Sequence, residues 1–515
     1  MTTRRQFLGQ TAGATAGLLG MGASKFLRGQ LVPARRPTAG DGGARLGSAT
    51  TGAVPTSEVN HFFSRPDLHP PRVTAARAAS SFTIGGSTGR FLLLTPKRSP
   101  GAAAGGQSGL MVLDGDVRMR WFLPTENSPF DLQCQLYQGK QVLTWWQGEV
   151  TTGFGQGEAV LADMSFNEIA RFSAVDGLSP DLHELNLTPE GSALITSYHT
   201  EAADLSSVGG PSKGYVLAST AVEVDVASGK LLWRWESLDH VPISATYQKF
   251  SGGTEQAPFD YFHINSIAVA PDGDLLISSR NTWCVYKVSR TTGEVLWRLN
   301  GKDSDFAMGE GTHFYWQHHV RPHGNGVLSI FDDGAAPAEE TLSRGLVLNL
   351  DETAMTCTLG RSTSHPGVLA VAEGSVQLLK DGGMLVGFGA EPYFSRFSAQ
   401  GELLVDGRLP DDVTSYRAFV ADFATVPEGK PAVAIGSSGG SHVLYVSWNG
   451  STEVMAWRVF AGTASTSLSS DVTADWAEFE TAVTTHSAGP YFQVAALDSG
   501  GRELGRSDVV KAVAA

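Results

Sequence analysis

The sequence has little of several features that would indicate familiar classes of protein. Only three cysteines occur in 515 residues, at Cys134, Cys284 and Cys357, and none has the Cys-x-x-Cys spacing of a zinc knuckle or redox pair. One disulfide is possible in an exported protein, but buried free thiols are the simpler interpretation. Charged residues make up 17%, the net charge is −14 and no long basic cluster is present, so we expect no nucleic-acid partner.

The N-terminus also lacks a hydrophobic run that could span a bilayer stably. The pair Arg4-Arg5 is followed by Phe7 and Leu8 and then by a short, mildly apolar run rich in Gly and Ala. This pattern is typical of a twin-arginine export signal, which we assign to residues 1–30, with a linker at 31–56. We therefore expect an exported protein, periplasmic, cell-wall-associated or secreted, with no stable membrane span in its mature form.

Glycine, in contrast, is abundant, with 60 residues, and it marks an internal repeat. A Gly turn followed by a short apolar strand occurs six times, starting at Gly89, Gly139, Gly191, Gly273, Gly326 and Gly383. A second element, consisting of a strand, a tight turn and a strand, follows each copy, most clearly from Val222 and Tyr286. Each repeat is long enough for a four-stranded antiparallel sheet, which cannot bury both faces alone. We therefore predict a six-bladed β-propeller over 57–427; a stacked sandwich array is the alternative.

The C-terminal region differs from the repeats. Its strands are shorter and alternate regularly with aromatic residues, and a terminal hairpin is centred on Asp498–Gly501. These features predict a small fibronectin type III-like β-sandwich over 431–512. The predicted fold class is therefore all-β, a six-bladed β-propeller followed by this sandwich.

Three histidines recur at similar places in consecutive repeats. His183 lies eight residues before Gly191, His263 ten before Gly273, and His318 eight before Gly326. In a propeller these positions begin the innermost strand of each blade, so we expect the three side chains to face the central channel. His319 follows His318 directly, and on a strand its side chain points to the opposite face. We expect His319 to pack between blades or to bond to backbone.

Metal and cofactor hypotheses have less support. His313, His318, His319 and His323 are dense, but the residues between and after them include Pro322 and two glycines, which oppose a helix that would align them. We predict no metal site and no cofactor. Arg280 ends an inner strand and Arg344 follows the segment FDDG, and an arginine fork can hold a sulfate or phosphate group. Asp332 or Asp333 could orient such an arginine or simply close a turn.

Several of these segments, taken in order, resemble the bacterial arylsulfotransferase family. The segments are FHINSI, ISSR, TGEVLWRL, WQH and FDDG, and the resemblance covers roughly 91–423. It implies a six-bladed propeller that takes a sulfuryl group from an aryl sulfate ester and passes it to a phenol, without the adenosine-based sulfate donor. No phosphate-binding Gly-Lys-Ser/Thr loop occurs, which agrees with the absence of a nucleotide donor. The expected partners are therefore a small aromatic sulfate ester and a phenolic acceptor.

The resemblance also implies roles for particular residues. In that family one histidine takes the sulfuryl group, while two further histidines and an arginine stabilise charge and handle the phenol proton. His263 and His318 match the two supporting histidines and Arg344 the arginine, so these are the predicted catalytic residues. The predicted substrate-binding residues are His183, Arg280, Asn265 and Asp332.

The sequence departs from the family where the sulfuryl-accepting histidine should lie, around the sixth repeat. The segment 374–398 contains no histidine, and His365 is the only late histidine in the predicted propeller. Either His263, His318 or His365 accepts the group, or transfer is direct, or the activity differs. A ligand-binding propeller without turnover, and a lyase or oxidoreductase on the same scaffold, are the alternative functions.

Overall fold

Antiparallel β-sheets form nearly all of the structure, a computed structural model that describes residues 58–99, 106–151, 153–438 and 441–512. The assigned export signal and linker, 1–30 and 31–56, lie outside the described residues. The first strand is β1 (Thr74–Arg77). Six sheets then follow in chain order, each built mainly from consecutive strands.

The strands of the six sheets have the following bounds. Sheets 1 and 2 contain β2 (Phe91–Arg98), β3 (Gly109–Asp114) and β4 (Met119–Pro124), then β5 (Ser128–Tyr137), β6 (Lys140–Thr151), β7 (Phe154–Ala162) and β8 (Glu168–Phe172). Sheets 3 and 4 contain β9 (Leu185–Leu187), β10 (Ser192–Ala203), β11 (Gly214–Asp225) and β12 (Leu231–Glu236), then β13 (Ile264–Val269), β14 (Leu275–Ser279), β15 (Cys284–Val288) and β16 (Val295–Asn300). After β17 (Ala307–Met308), sheets 5 and 6 contain β18 (His318–Pro322), β19 (Val327–Asp332), β20 (Arg344–Asp351) and β21 (Thr356–Ser364), then β22 (Ser375–Leu378), β23 (Met384–Gly387), β24 (Tyr393–Phe397) and β25 (Leu403–Arg408).

The two ends of this region pair with sheets at the opposite end of the sequence. Strand β26 (Val413–Ala421) pairs with β2 and completes sheet 1, while β1 pairs with β25 and extends sheet 6. Strand β17 adds to sheet 5 by a parallel pairing with β21. Because N-terminal and C-terminal segments share sheets 1 and 6, their pairing joins the last part of the region to the first.

Neighbouring sheets pack face to face along the chain. Each sheet contacts the next, through β5 with β9 or β13 with β18 for example, and sheet 6 contacts sheet 1 through β23 and β26. Tryptophans link sheets as well: Nε1 of Trp235 in β12 donates to the Gly293 carbonyl in sheet 4, and Nε1 of Trp297 in β16 donates to Glu352 beyond β20. The result is a β-propeller-like all-β fold.

Two further sheets form the C-terminal region. They consist of β27 (Ala432–Ser438), β28 (Ser441–Ser447), β29 (Ala456–Ala464), β30 (Ser467–Asp475), β31 (Thr481–Thr484), β32 (Tyr491–Leu497), β33 (Glu503–Arg506) and β34 (Val510–Lys511). Strands β27, β28 and β31 form one sheet, and the other five form the second. Alternate side chains such as Trp457, Val459 and Phe492 are buried in a shared core, as the predicted alternation requires.

Helix is confined to short connections in the part of the chain that is described. These are a helical turn at Ser237–His240 and two 3₁₀ turns at Ser206–Val208 and Ile243–Ala245. None of the described helices has the length and apolar character needed to cross a membrane. The three cysteines are free thiols, and burial raises the pKa of Cys284 to about 12.

Candidate active site

Three buried histidines from consecutive sheets meet in the structure. His183 lies two residues before β9, His263 directly before β13, and His318 is the first residue of β18. The ring centroid of His183 lies 4.9 Å from that of His263 and 6.3 Å from that of His318. The side chains that the repeat register relates to one another therefore form one cluster, with His183 next to both of the others.

Each histidine of the cluster is bound through Nδ1 to an aspartate. The Nδ1 to carboxylate-oxygen distances are 2.5 Å for His183 to Asp181, 2.5 Å for His263 to Asp260, and 2.8 Å for His318 to Asp333. A carboxylate in this place favours the tautomer with hydrogen on Nδ1, which leaves Nε2 as the free acceptor. The aspartates at Nδ1 therefore fix the orientation of each imidazole ring, and with it the direction in which Nε2 points.

The aspartates have different surroundings. Asp181 is buried and accepts further hydrogen bonds from the backbone N–H groups of Gly155 and His183 and from Oγ1 of Thr196. Burial raises the pKa of Asp181, but the interaction with His183 and these hydrogen bonds outweigh it, so the pKa lies below its usual value. Burial raises the pKa of Asp333 well above its usual value, and its Oδ1 has no hydrogen-bond partner within the described residues.

Burial keeps two of the imidazoles neutral near neutral pH. It lowers the pKa of His263, although Asp260 opposes the shift, and it lowers that of His318 further because Arg280 and the other two histidines lie nearby. A neutral imidazole can accept a proton or act as a nucleophile, which the imidazolium form cannot. The electrostatics of the cluster therefore suit base or nucleophile chemistry.

Local irregularities in the inner strands aim side chains at this centre. The pairing register shifts within β5 between Phe130 and Gln133, within β13 after Ile264, and within β18 after His318. His263 has a positive φ of 57°, a conformation that side chains other than glycine rarely adopt. Bulges and such backbone conformations are concentrated next to active sites in proteins generally, because they redirect side chains.

One cation borders the histidine cluster. The guanidinium of Arg280 donates through Nη1 to Asn281 and through Nη2 to the Val371 carbonyl, and its Cζ lies 4.8 Å from the ring centroid of Trp316. Within the described residues Nε of Arg280 makes no hydrogen bond, and no salt bridge neutralises the charge. Burial lowers the pKa of this guanidinium, and Asp333 and Asp260 oppose the shift. Because no carboxylate among the described residues pairs with it, the guanidinium of Arg280 can bind an anion.

A second polar layer lies directly beside the histidines. Arg417 of β26 is fully buried and donates to the carboxylates of Asp131 and Glu184 and to the backbone carbonyls of His183 and Asn265. Glu184 also binds Arg321 of β18 at 2.8 Å. Burial lowers the pKa of Arg417, but the two carboxylates outweigh this and raise it. Arg417 of sheet 1 thus binds groups from sheets 2, 3 and 4, and Glu184 links them to Arg321 of sheet 5, which identifies this layer as the centre of the ring of sheets.

Aromatic side chains flank His183 on two sides. Its ring centroid lies 6.0 Å from that of Tyr416 and 5.9 Å from that of Tyr198, and Phe130 lies 5.4 Å from Tyr416. The hydroxyl of Tyr198 donates to the Ile264 carbonyl, and burial raises its pKa well above the usual value, so it is neutral. The imidazole of His183 therefore has two tyrosine rings as neighbours in addition to the two other histidines.

Sheet 6 places a carboxylate-bearing residue where sheets 3, 4 and 5 place a histidine. Glu373 lies two residues before β22, has a positive φ of 72°, and forms a 3.0 Å ion pair with Lys97 of β2. Its backbone N–H approaches Nε2 of His318 at 3.4 Å. Sheet 6 thus places the Glu373–Lys97 ion pair beside His318.

The predicted residues are divided between this cluster and other places. His183, His263, His318 and Arg280 come together. Asn265 donates from Nδ2 to the Gln317 carbonyl at 2.6 Å, and its buried Oδ1 has no partner in the part of the chain that is described. Arg344 instead binds Asp332 and, at 3.0 Å, Glu340, while Asp332 also accepts from the backbone N–H of Tyr315.

The remaining histidines that the sequence singled out lie elsewhere. His365 contacts Asp406 at 3.1 Å and the Tyr393 ring, His313 bonds Asn300, and His323 bonds Ser329. His319 accepts from the backbone N–H of Val376 in sheet 6 and packs against Phe419. No group of three or more metal-ligating side chains occurs among the described residues.

The pairing of the three aspartates with the histidines was not predicted from the sequence, although the sequence carries a signal for two of them. Asp181 and Asp260 precede their histidines by two and three residues, a short-range pattern that repeats between two blades. Glu373 lies ten residues before Gly383, the same offset as His263 from Gly273. The contacts of Arg417 carry no such local signal, because its partners lie in three other sheets.

Comparison with known proteins agrees with the family resemblance. The family described as arylsulfotransferase (ASST) matches residues 133–409, more than half of the 515 residues. Fold and site together define the class of protein: a β-propeller-like protein with a cluster of histidines at its centre. The chain belongs to the arylsulfotransferase family.

Solved structures give only distant similarities. A protein of unknown function from Bacteroides caccae is 14% identical, with 64% of this chain and 98% of that chain covered and a TM-score of 0.39. The calcium-binding protein regucalcin from Agrobacterium tumefaciens is 12% identical, with 62% of this chain and 82% of that chain covered and a TM-score of 0.31. Virginiamycin B lyase from Staphylococcus aureus is 9% identical, with 69% of this chain and 81% of that chain covered and a TM-score of 0.28. No curated protein matches the sequence.

Proposed function

We propose that this protein transfers a sulfuryl group from an aryl sulfate ester to a phenolic acceptor, using its histidine cluster and no nucleotide sulfate donor. The observation that carries the proposal is the cluster itself: three imidazoles held by aspartates next to the unneutralised Arg280. A sulfate ester needs a nucleophile, a base and a cation for its oxygens, and this set of side chains provides all three.

The roles of the side chains follow from their surroundings. Neutral His263 and His318 can exchange the phenol proton, and Arg280 can bind the sulfuryl oxygens. Asn265 has an unpaired carbonyl oxygen near the centre that can accept from a substrate hydroxyl. Arg344 holds Asp332, whose neighbour Asp333 orients His318, so it contributes by positioning. The rings of Tyr416 and Phe130 suit an aryl group.

We also propose a more specific architecture and location. Sheets 1 to 6 correspond to the blades of a six-bladed propeller over 57–427, supported by the contact between sheet 6 and sheet 1. The two C-terminal sheets correspond to a fibronectin type III-like sandwich over 431–512. The twin arginine at Arg4-Arg5 supports export to the periplasm, cell wall or medium, which fractionation of cells expressing the whole chain would test.

The activity is tested with 4-nitrophenyl sulfate as donor and phenol as acceptor. We expect release of 4-nitrophenol that depends on phenol and yields phenyl sulfate. His263→Ala and His318→Ala should each reduce turnover far more than they reduce the melting temperature. The absence of sulfuryl transfer over a broad set of aryl sulfates and phenols would refute the proposal.

The second candidate function is a ligand-binding protein without turnover. The Glu373–Lys97 ion pair, near the place where the family resemblance implies a sulfuryl-accepting histidine, favours it. It predicts that an aryl sulfate raises the melting temperature while the ester stays intact. Thermal unfolding with and without donor, followed by product analysis of the same samples, separates the two functions.

A further inference from the structure

The three histidines of the cluster differ in how their Nε2 atoms are engaged. Nε2 of His318 receives the backbone N–H of Glu373 at 3.4 Å. Within the described residues, Nε2 of His183 and of His263 makes no hydrogen bond, so both lone pairs are available. Of these two, only His183 has ring contacts to both other histidines, at 4.9 and 6.3 Å. A group bonded to His183 would therefore have a second imidazole on each side.

The carboxylates behind the histidines also differ in how well they support a positive charge. An imidazole that bonds to sulfur through Nε2 becomes cationic, and an ionised carboxylate at Nδ1 stabilises that state. Asp181 is fully buried and accepts four hydrogen bonds, two of them from His183. Asp260 is more exposed, with 27% of its side chain accessible, and among the described residues Oδ1 of Asp260 and Oδ1 of Asp333 have no hydrogen-bond partner. The arrangement around Asp181 is the most complete.

We propose that His183 is the residue that accepts the sulfuryl group, an assignment that rests on the proposed transferase function. The rings of Tyr416 and Tyr198 lie about 6 Å from the His183 ring, and aromatic neighbours of this kind suit the aryl part of the donor. His183, on sheet 3, would then replace the late histidine that the family resemblance implies and that sheet 6 lacks. In that sheet Glu373 is bound to Lys97 instead.

The two half-reactions balance as follows. The Nε2 lone pair of His183 forms a bond to sulfur while the bond from sulfur to the aryl oxygen breaks, and its electron pair leaves with the aryl oxygen. The imidazole becomes an N-sulfo-imidazolium. Its proton stays on Nδ1, which remains hydrogen-bonded to Asp181. In the second half, the oxygen of the acceptor phenol bonds to sulfur, and its proton passes to Nε2 of neutral His263. The N–S electron pair returns to His183, and His263 gives its proton to the next leaving aryl oxygen.

The experiment is peptide mapping of the full chain after exposure to 4-nitrophenyl sulfate without acceptor. The sample is kept alkaline, because protonation makes an N-sulfo-imidazole a better substrate for hydrolysis. We expect one sulfuryl group per chain, located on the peptide that contains His183. The matched control is His365→Gln, which changes another aspartate-bound histidine outside the cluster and should retain the label and the wild-type turnover.

Two variants keep the test interpretable. His183→Asn preserves a donor towards Asp181 and His183→Gln preserves a polar group near Nε2; both should remain folded, carry no label and lose at least a thousandfold in transfer rate. A label on the peptide of His263, His318 or His365, or turnover by the wild type without any label, would overturn the assignment and leave the proposed transferase function intact. Absence of both label and turnover would overturn both.

Discussion

Two neighbouring layers at the centre of the ring of sheets bury polar side chains in opposite ways. In one layer, the Arg417 guanidinium is shared between Asp131, Glu184 and two backbone carbonyls. Among the described residues of the other layer, His183 and His263 are hydrogen-bonded only at Nδ1, to their aspartates, and no carboxylate pairs with the guanidinium of Arg280. His318 is bound to Asp333 at Nδ1 and has one long contact at Nε2, to the backbone N–H of Glu373. The first layer is largely paired, and the second keeps open hydrogen-bonding and charge capacity.

The difference teaches how to separate structural from functional polar groups in one buried centre. A buried charge that is paired on all sides fixes the positions of the sheets, and removal of one member leaves the others without compensation. A buried imidazole whose Nε2 has no hydrogen bond lowers the stability of the fold, but it leaves a nitrogen that can react. The histidine layer should therefore govern turnover and the arginine layer should govern folding.

The largest expected effect is on turnover, in His183→Asn. We expect kcat/KM for sulfuryl transfer to fall by about 10⁴-fold or more, because the variant removes the nucleophile. The free energy of unfolding should change by only about 1 kcal/mol, since the hydrogen bond to Asp181 can be kept. Kinetics with 4-nitrophenyl sulfate and phenol, together with urea unfolding of the same preparation, measure both; a loss of stability as large as the loss of rate would contradict the division into layers.

The matched variant in the other layer is Arg417→Met. It leaves Asp131 and Glu184 buried without their shared cation, so we expect a loss of about 3–5 kcal/mol of stability. Chemical unfolding followed by tryptophan fluorescence gives the value. The comparison fails if this variant is as stable as the wild type and merely inactive.

A smaller effect is expected when the support of His183 is altered and its ring is kept. Asp181→Asn should reduce kcat by about 10²–10³-fold with little change in KM, because the amide cannot stabilise a cationic imidazole as the carboxylate does. Asp406→Asn, next to His365 outside the cluster, is the control and should leave both constants unchanged. Equal effects of the two substitutions would show that Asp181 has no special role.

The two arginines that the sequence singled out can be compared directly. Arg280→Gln should lower kcat/KM by about 10²-fold through loss of sulfuryl binding, with stability unchanged. Arg344→Gln breaks contacts to Asp332 and Glu340, so its smaller effect on rate should be accompanied by a lower melting temperature. The reverse pattern would make Arg344 the residue that contacts the substrate.

The smallest effect concerns pH. Burial lowers the pKa values of His263 and His318 below the usual 6.5, so their neutral, active forms persist as the pH falls through 6.5. We therefore expect the acidic limb of the kcat/KM profile for the phenol acceptor, which needs neutral His263, to lie below pH 6.5. Asp260→Asn removes a group that raises the pKa of His263, so it should move the limb to still lower pH; a limb above 6.5 would mean that these imidazoles do not act in neutral form.

Much of the all-β character and of the histidine cluster could be predicted from local patterns. Turn glycines and alternating strands repeat along the chain, and counting back from each glycine relates His183, His263 and His318 to one another. The contacts of Arg417 and Arg344 could not be predicted, because they depend on which side chains meet across sheets. Bulges in β5, β13 and β18 also interrupt the two-residue alternation on which prediction of strand faces depends.

The central claim, that a histidine of the open layer carries the sulfuryl group between donor and acceptor, is tested most directly by rapid mixing. The chain is mixed with excess 4-nitrophenyl sulfate in the absence of a phenol acceptor, and release of 4-nitrophenol is followed. The account predicts a burst of one 4-nitrophenol per chain that disappears in His183→Asn. Steady transfer to phenol by a wild-type chain that shows no burst and no sulfuryl-enzyme would contradict it.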